Sequence, residues 1–530
     1  MGIIFQTDRR VGITYAYEST SYWDKEKKQP RSHRKLIGRV DEATGDIVPT
    51  RGRKRSSPAV SLPSVKESVA SKRSFSGATH LFDEIIQEQG ILQDLKSCFP
   101  YQYDQILSIA YYLILEDQNP LSRFSKWAAI HTHPYRKDIP SQRSSELFAE
   151  ITEDAKNRFF TLQGKRKKEQ EYWFYDSTSI SSYSNCLTQV KYGKNKDHEH
   201  LEQINLALLY GEQSRLPFYY RKLPGNISDV MTVQNLIADI SQLAFKKIKL
   251  VMDRGFYSEK NVNAMLKSHF KFIIGVKKSA LFVQKAIDKA REEIRNFGHY
   301  HPEYDLFTHS EMITWHHKQM RPYKGDTIQE GRRMYLHLFY SPGKALEDER
   351  KLHEKLTTWK TELESGKRYQ VNEKSYEKYF EVKETPVRGI KIMVKQGEIE
   401  NAKKNYGYFA MISNDVKDPV KALELYRRKD LIEKAFENIK DRLGFRRMHV
   451  SSDRSLDGKM FVEFIALSIM SDMMRRMQDA SLFKKYTMTE MLDKIDLIEC
   501  FEQEGKERWY GEMTEQQYEI YRDLGIDPPT

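Results

Sequence analysis

A chain of 530 residues is too long for one ordinary hydrophobic core, so two to four domains are expected. Its 87 Lys and Arg against 75 Asp and Glu leave a net charge of +12, a basic excess compatible with nucleic acid as a partner. Cys98, Cys186 and Cys500 lie far apart with no CxxC pair, and no signal peptide or membrane-spanning apolar run is seen; this argues against a disulfide framework, a structural zinc and a membrane, and for a reducing cytoplasm.

Residues 10–50 alternate polar side chains with Tyr, Ile and Val and carry Gly38 and Gly45, a pattern that predicts a small antiparallel sheet. Charge concentrates in residues 25–73, with 14 basic and 5 acidic side chains, a local +9. The Ser- and Pro-bearing piece from Arg51 to Ser76 reads as a flexible linker, and its cluster Arg51, Arg53, Lys54 and Arg55 as one that tracks phosphates. From His80 to about Leu162 the apolar residues recur at helical spacing: Leu81, Phe82, Ile85 and Ile86, then Ile91, Leu92 and Leu95, then Ile106, Ile109 and Leu113. His131 with His133, and His316 with His317, have no Cys or acidic partner at ligand spacing and read as ordinary loop and strand-face histidines.

Residues 168–280 and 405–445 predict one α/β domain, split in sequence, with a mixed sheet. Strands are expected near 171–178, 185–192, 216–222, 248–252, 271–276 and 407–413, with helices near 229–245, 258–268 and 419–444. The run EYWFYDSTSISSYS delivers Asp176 into a Ser/Thr-rich stretch, and KIKLVMDRGFYS ends a buried strand at Asp253, with Gly255 in the turn and Ser258 as a helix cap. A carboxylate at a strand's end is where α/β folds place functional groups, and equally where a turn-forming Asp sits. Asp253 and Glu433 are 180 positions apart, with strands expected between them at 311–317, 332–340 and 378–384 and a charged helix at about 344–364. After residue 455 the pattern is helical, with MFVEFIALSIM as a buried piece.

The segment YRRKDLIEKAFENIKDRLGF, residues 426–445, carries the most information. Tyr426, Lys429, Glu433 and Lys440 are spaced three, four and seven apart, which on a helix leaves them within a stripe of roughly 60°. Leu425, Ile432, Phe436, Ile439 and Leu443 form an apolar stripe beside it. Such charged stripes are usually solvated. A carboxylate among two cations and a tyrosine nevertheless suits a site that holds a metal ion and a phosphate backbone together.

Taken jointly, Asp176, Asp253 and the Glu433 helix resemble the Asp–Asp–Glu transposases of bacterial insertion sequences, specifically the insertion-sequence-4 group and its 1634-like branch. That group's signature is Tyr, two residues, Arg, three residues, Glu, six residues, Lys; Tyr426, Glu433 and Lys440 match it, and Lys429 stands in place of Arg. The similarity extends to residues 448–470 and to 15–49. The resemblance implies an α/β protein, multidomain α+β overall, with an RNase-H-like catalytic core in 166–285 and 405–450 interrupted by a β-rich insertion in 286–404. Around it stand a small β region with its basic linker (1–79), a helical block for DNA-end binding or scaffolding (80–165) and a helical tail suited to dimerisation (451–530). It also implies two Mg²⁺ ions about 4 Å apart, with Mn²⁺ as a substitute. Asp176 would bridge both ions, with Asp253 and Glu433 each completing one site, and Tyr426, Lys429 and Lys440 would hold terminal phosphates. The implied reaction is cleavage at element ends by activated water and attack of the freed 3′-OH on target DNA, by a homodimer in the nucleoid of a bacterial cytoplasm. The rival readings are an RNase-H-like nuclease that only hydrolyses and a domesticated, non-catalytic DNA-binding protein.

Overall fold

The computed structural model describes the chain apart from residues 1, 9–10, 25–26, 43, 50–71, 118, 167–170, 185, 244–246, 321–326, 386–388, 448–449, 451 and 504. Arg51, Arg53, Lys54 and Arg55 therefore lie outside the described residues. The chain divides into two units, Met1–Ser71 and Lys72–Thr530. In the first, β1 (Gly2–Thr7), β2 (Thr14–Asp24), β3 (Gln29–Val40) and β4 (Ile47–Val48) pair in order as an antiparallel meander, the small sheet that the alternation predicts.

The second unit opens with β5 (Lys72–Phe75) and six helices, α1 (Gly77–Glu88), α2 (Ile91–Cys98), α3 (Tyr103–Leu115), α4 (Phe124–Ala128), α5 (Ser141–Glu150) and α6 (Glu153–Arg166). There follow β6 (Trp173–Ser181), β7 (Gln203–Gly211), β8 (Pro217–Pro224), α7 (Asp229–Gln242), β9 (Lys249–Met252), α8 (Glu259–Lys267) and β10 (Lys271–Val276). Ser258 caps α8, accepting from the Asn261 amide at 3.1 Å, as the sequence predicts. Residues 186–192, the described part of the segment expected as a strand at 185–192, do not form one. The Thr188 amide is taken by the Asp453 carboxylate at 3.2 Å, and one bridge, Lys191 to Gln203, is the extent of ladder pairing there among the described residues. The strand in that place is β7, whose unbroken run QINLALLYG is buried throughout; a strand covered on both faces has no alternation to read.

Next come α9 (Leu281–Ala290), β11 (Tyr300–His301), β12 (Leu306–Met320), β13 (Thr327–Tyr340), α10 (Pro342–Glu364), α11 (Glu373–Tyr379), β14 (Phe380–Thr385), β15 (Gly389–Val394), α12 (Gln396–Lys403) and β16 (Tyr408–Ser413). Nine strands form one sheet in the order β11-β12-β13-β16-β10-β9-β6-β7-β8. β6, β9 and β10 run parallel and every other pairing is antiparallel. The stretch expected as an insertion thus contributes β12 and β13 to the main sheet. Only its later part keeps a separate small core, of Leu352, Leu363, Tyr376, Tyr379, Phe380 and Ile399.

The chain closes with α13 (Pro419–Arg427), α14 (Asp430–Glu437), a π-helical turn (Asn438–Arg442), α15 (Asp453–Asp479), α16 (Met488–Asp496), β17 (Glu499–Glu502), β18 (Trp509–Tyr510) and α17 (Glu515–Leu524). The tail returns to the start of the unit: β17 pairs with β5, and Tyr521 donates to the Gly77 carbonyl at 2.7 Å. α15 is buried along most of its length, and Gly458 lets it approach α5 so closely that an added Cβ would meet the Phe148 carbonyl oxygen at 2.0 Å. The helical block, the sheet and the tail therefore share one hydrophobic core. His131 and His133 are polar parts of it, bonded to Asp496 and Ser108. No described helix is long and apolar enough to cross a membrane.

Candidate active site

Asp176 and Asp253 are brought together by strand register. β6 and β9 are parallel neighbours with Tyr175 opposite Met252; the residue after Tyr175, still on β6, is Asp176, and the residue after Met252, just past the end of β9, is Asp253. Asp176 Oδ1 accepts from the Ser177 amide at 2.7 Å and from Lys196 Nζ at 3.2 Å. Asp253 Oδ1 accepts from the Arg254 amide at 2.7 Å and from the Tyr426 hydroxyl. Among the described residues, neither carboxylate's Oδ2 makes a hydrogen bond.

Tyr426 reaches Asp253 over Gly275 of β10. A Cβ there would lie 3.1 Å from the Tyr426 hydroxyl and 3.0 Å from the Arg254 nitrogen, so the glycine leaves the passage open. Lys429 Nζ bonds Glu433 Oε1 at 2.6 Å and lies 5.9 Å from the centre of the Tyr426 ring. Its ammonium also feels the charges of Asp253 and Asp176, while its hydrogen bond is to Glu433.

The expected single helix over 419–444 is not what carries these groups. Pro419 and the Asp418 cap start α13, the chain breaks at Arg428–Lys429, α14 carries Glu433, and the π turn follows. The apolar stripe survives the break, because Leu425, Ile432, Phe436, Ile439 and Leu443 are all buried. The polar stripe does not. Glu433 is half-exposed, whereas the π turn carries Lys440 inward, where Nζ bonds Asp197 Oδ2 at 2.6 Å.

Sequence reasoning passed over Lys196, Asp197 and Asp229. Lys196 sits on Asp176, on the carbonyl of Ser177 and, at 3.1 Å, on the Ser177 hydroxyl, which in turn donates to Asp229 at 2.7 Å. The loop between β6 and β7 is pinned at two further points, by Lys440 on Asp197 and by Arg447 on Glu199 at 2.7 Å. Only an acidic-basic mixture, KNKDHEHLE, marked this loop in sequence, and such mixtures are common on solvated surfaces.

The electrostatics separate the two aspartates. Burial pushes the Asp176 carboxyl up from its ordinary value, with Lys196, the Ser177 amide and Lys429 pulling part of the way back. Burial acts on Asp253 in the same sense, yet the Tyr426 hydroxyl, the Arg254 amide and the Lys429 and Arg254 charges outweigh it and hold the carboxyl below its usual range. Burial and the adjacent Asp253 carboxylate drive the Tyr426 phenol upward, so it stays a donor.

Two carboxylates with unengaged oxygens, balanced by lysine ammonium groups, form a donor set that suits a hard divalent cation. Among the described residues no three His, Cys, Asp or Glu side chains meet at metal-holding spacing, since Glu433 is turned toward Lys429.

The family model described as "Transposase DDE domain" matches residues 167–469, a span that includes both aspartates and Glu433. Among solved structures the chain is similar to "Cryo-EM structure of piggyBac transposase synaptic complex with hairpin DNA (SNHP)", with 10% identity and a TM-score of 0.35 over 78% of this chain and 70% of that one. No curated protein matches the sequence.

Proposed function

We propose that this chain, which belongs to the DDE-domain transposase family, binds the ends of a mobile DNA element, cuts there by metal-dependent phosphodiester hydrolysis and joins the 3′-OH ends to target DNA. The single observation that carries the chemistry is the juxtaposition of Asp176 and Asp253 by the β6–β9 register. The order β8-β7-β6-β9-β10, antiparallel outside and parallel inside, supports reading this part of the sheet as an RNase-H-like core. The spacing of Tyr426, Glu433 and Lys440 supports the insertion-sequence-4 group and its 1634-like branch.

DDE transposases as a class use divalent metal ions. Here Asp176 and Asp253 would hold Mg²⁺ or Mn²⁺, with Glu433 completing the donor set once it releases Lys429. Ions bound in this way polarise the attacking oxygen and neutralise charge on the leaving oxygen. The chain's own residues do the rest. Tyr426 and the Arg254 amide fix Asp253 as a carboxylate. Lys429, freed from Glu433, would meet a phosphate of the terminal nucleotide; its point charge replaces the planar fork that Arg offers in the family signature. Assembly on DNA as a homodimer in a bacterial nucleoid belongs to the same reading.

Joining of pre-cut ends tests it. With a duplex ending in an exposed 3′-OH and a plasmid target, a transposase gives covalently joined product that needs Mg²⁺. Hydrolysis of end DNA with no joined product would reduce the protein to a nuclease.

A further inference from the structure

A cavity of about 480 Å³ opens between the α3–α5 side of the helical block and the segment that follows the π turn. Four cations line it, Lys440, Arg446, Arg447 and Lys459, and among the described residues no acidic side chain does. The larger groove of about 910 Å³ beside α6 is different, since Glu153, Asp154, Asp239 and Asp457 share its wall with the basic residues. The acids that pair with three of the cavity's cations (Asp197, Asp441 and Glu199) lie outside its lining, so they fix those side chains without filling the space.

Lys459 has no such partner. It is 7% exposed, lies 5.2 Å from the centre of the Phe445 ring, and makes no ion pair or hydrogen bond among the described residues. Burial pushes its ammonium below the ordinary lysine value, with Glu463 one turn along opposing the shift. Glu463 is itself fully buried, with neither carboxyl oxygen hydrogen-bonded among the described residues; burial raises its carboxyl and Lys459 opposes the shift. Burial thus works against the charged form of Lys459, and an anion in the cavity would favour it. Ser144 and Ser145 of α5 lie on the same wall, their hydroxyls donating to the Ser141 carbonyl at 2.8 and 3.1 Å. The cavity also adjoins the carboxylate site: Lys440 holds Asp197, and the preceding residue, Lys196, sits on Asp176.

We infer that this cavity is a phosphate-binding site, centred on Lys459, for a DNA strand that passes the Asp176–Asp253 site. The inference rests on the transposase reading for its DNA source; the same chemistry would accept free phosphate or a nucleotide, and the test separates the two. Full-length protein is titrated with inorganic phosphate, and its affinity for end DNA is followed against salt concentration. Lys459→Gln removes the buried cation. Ser145→Glu places a carboxylate at the rim from an exposed position on α5 and leaves the interior intact.

Each variant is expected to weaken inorganic phosphate about tenfold or more, the scale of a hydrogen bond to a charged group. Each should also flatten the slope of log K against log salt for end DNA by about 0.9, the value for one phosphate contact. Circular dichroism shows whether the variants are folded, and Ser145→Glu carries the test if Lys459→Gln is not. Weakened phosphate binding with an unchanged DNA slope would overturn the strand assignment in favour of a free phosphate compound. Unchanged phosphate and DNA binding in Ser145→Glu would overturn the site itself. Failure of the wild-type protein to cleave end DNA would count instead against the transposase reading.

Discussion

At the scale of single residues, the site depends on what Gly275 lacks. Tyr426 reaches Asp253 past Gly275, where a Cβ would crowd its hydroxyl at 3.1 Å. Gly275→Ala is expected to destabilise the fold by about 1–3 kcal/mol, the cost of overpacking, and to lower cleavage by displacing the phenol. Tyr426→Phe makes the cleaner comparison. It removes the donor and keeps the ring, so the Asp253 carboxyl should move up and DNA cleavage should fall while the melting temperature changes little. Cleavage at the wild-type rate in Tyr426→Phe would show that the hydroxyl serves packing alone. Lys440→Ala is expected to loosen the β6–β7 loop, because Asp197 loses its partner. Faster hydrogen exchange across residues 191–202, with the rest of the protein unchanged, is the outcome to look for. Asp176 and Asp253 could be proposed from sequence because an acidic residue in or just past a β-rich run stands out, and Glu433 because it lies on a patterned helix. Lys196 and Asp229 were not, since their proximity to Asp176 is created by a loop and a helix start that no local pattern announces.

At the scale of elements, helical periodicity identified the burying face of 419–444 correctly and its continuity wrongly. The apolar stripe stays buried through both the break at Arg428–Lys429 and the π turn, and the extra residue in that turn rotates Lys440 away from the exposed face. β7 was missed for the opposite reason, having no polar face at all. Two histidines make the element packing sensitive to acid. His133 near α3 and His337 on β13 are buried, and burial lowers both from 6.5 to about 4. A depressed histidine favours the neutral form in the folded state. The stability it contributes is present above about 6.5 and is lost as pH falls toward 4. Chemical denaturation between pH 7 and 4 should therefore show stability falling with acid, and His337→Gln should flatten that fall. An equally steep loss in the variant would place the acid sensitivity elsewhere.

At the scale of the whole molecule, the helical block, the sheet and the C-terminal tail are one body, and that was the least legible feature. Composition marks the block from 80 to 165 and the tail after 455 as separate helical segments. Their packing on one another across α15, and the pairing of β5 with β17, join residues hundreds of positions apart. Removing 1–165 would strip α15 of its partners, so a fragment 166–530 is expected to misfold. Residues 72–530 form the unit that should stand alone. That fragment is expected to melt cooperatively and keep metal-dependent cleavage, while binding element ends more weakly for want of the basic segment before it. Undiminished affinity for end DNA would remove residues 1–71 from end recognition. The central claim is that Asp176, Asp253 and Glu433 together cut DNA, and the most direct test is the Mg²⁺-dependent cleavage rate of Asp253→Asn on saturating end DNA. The account predicts loss of cleavage to background with end binding retained; cleavage at the wild-type rate would contradict it.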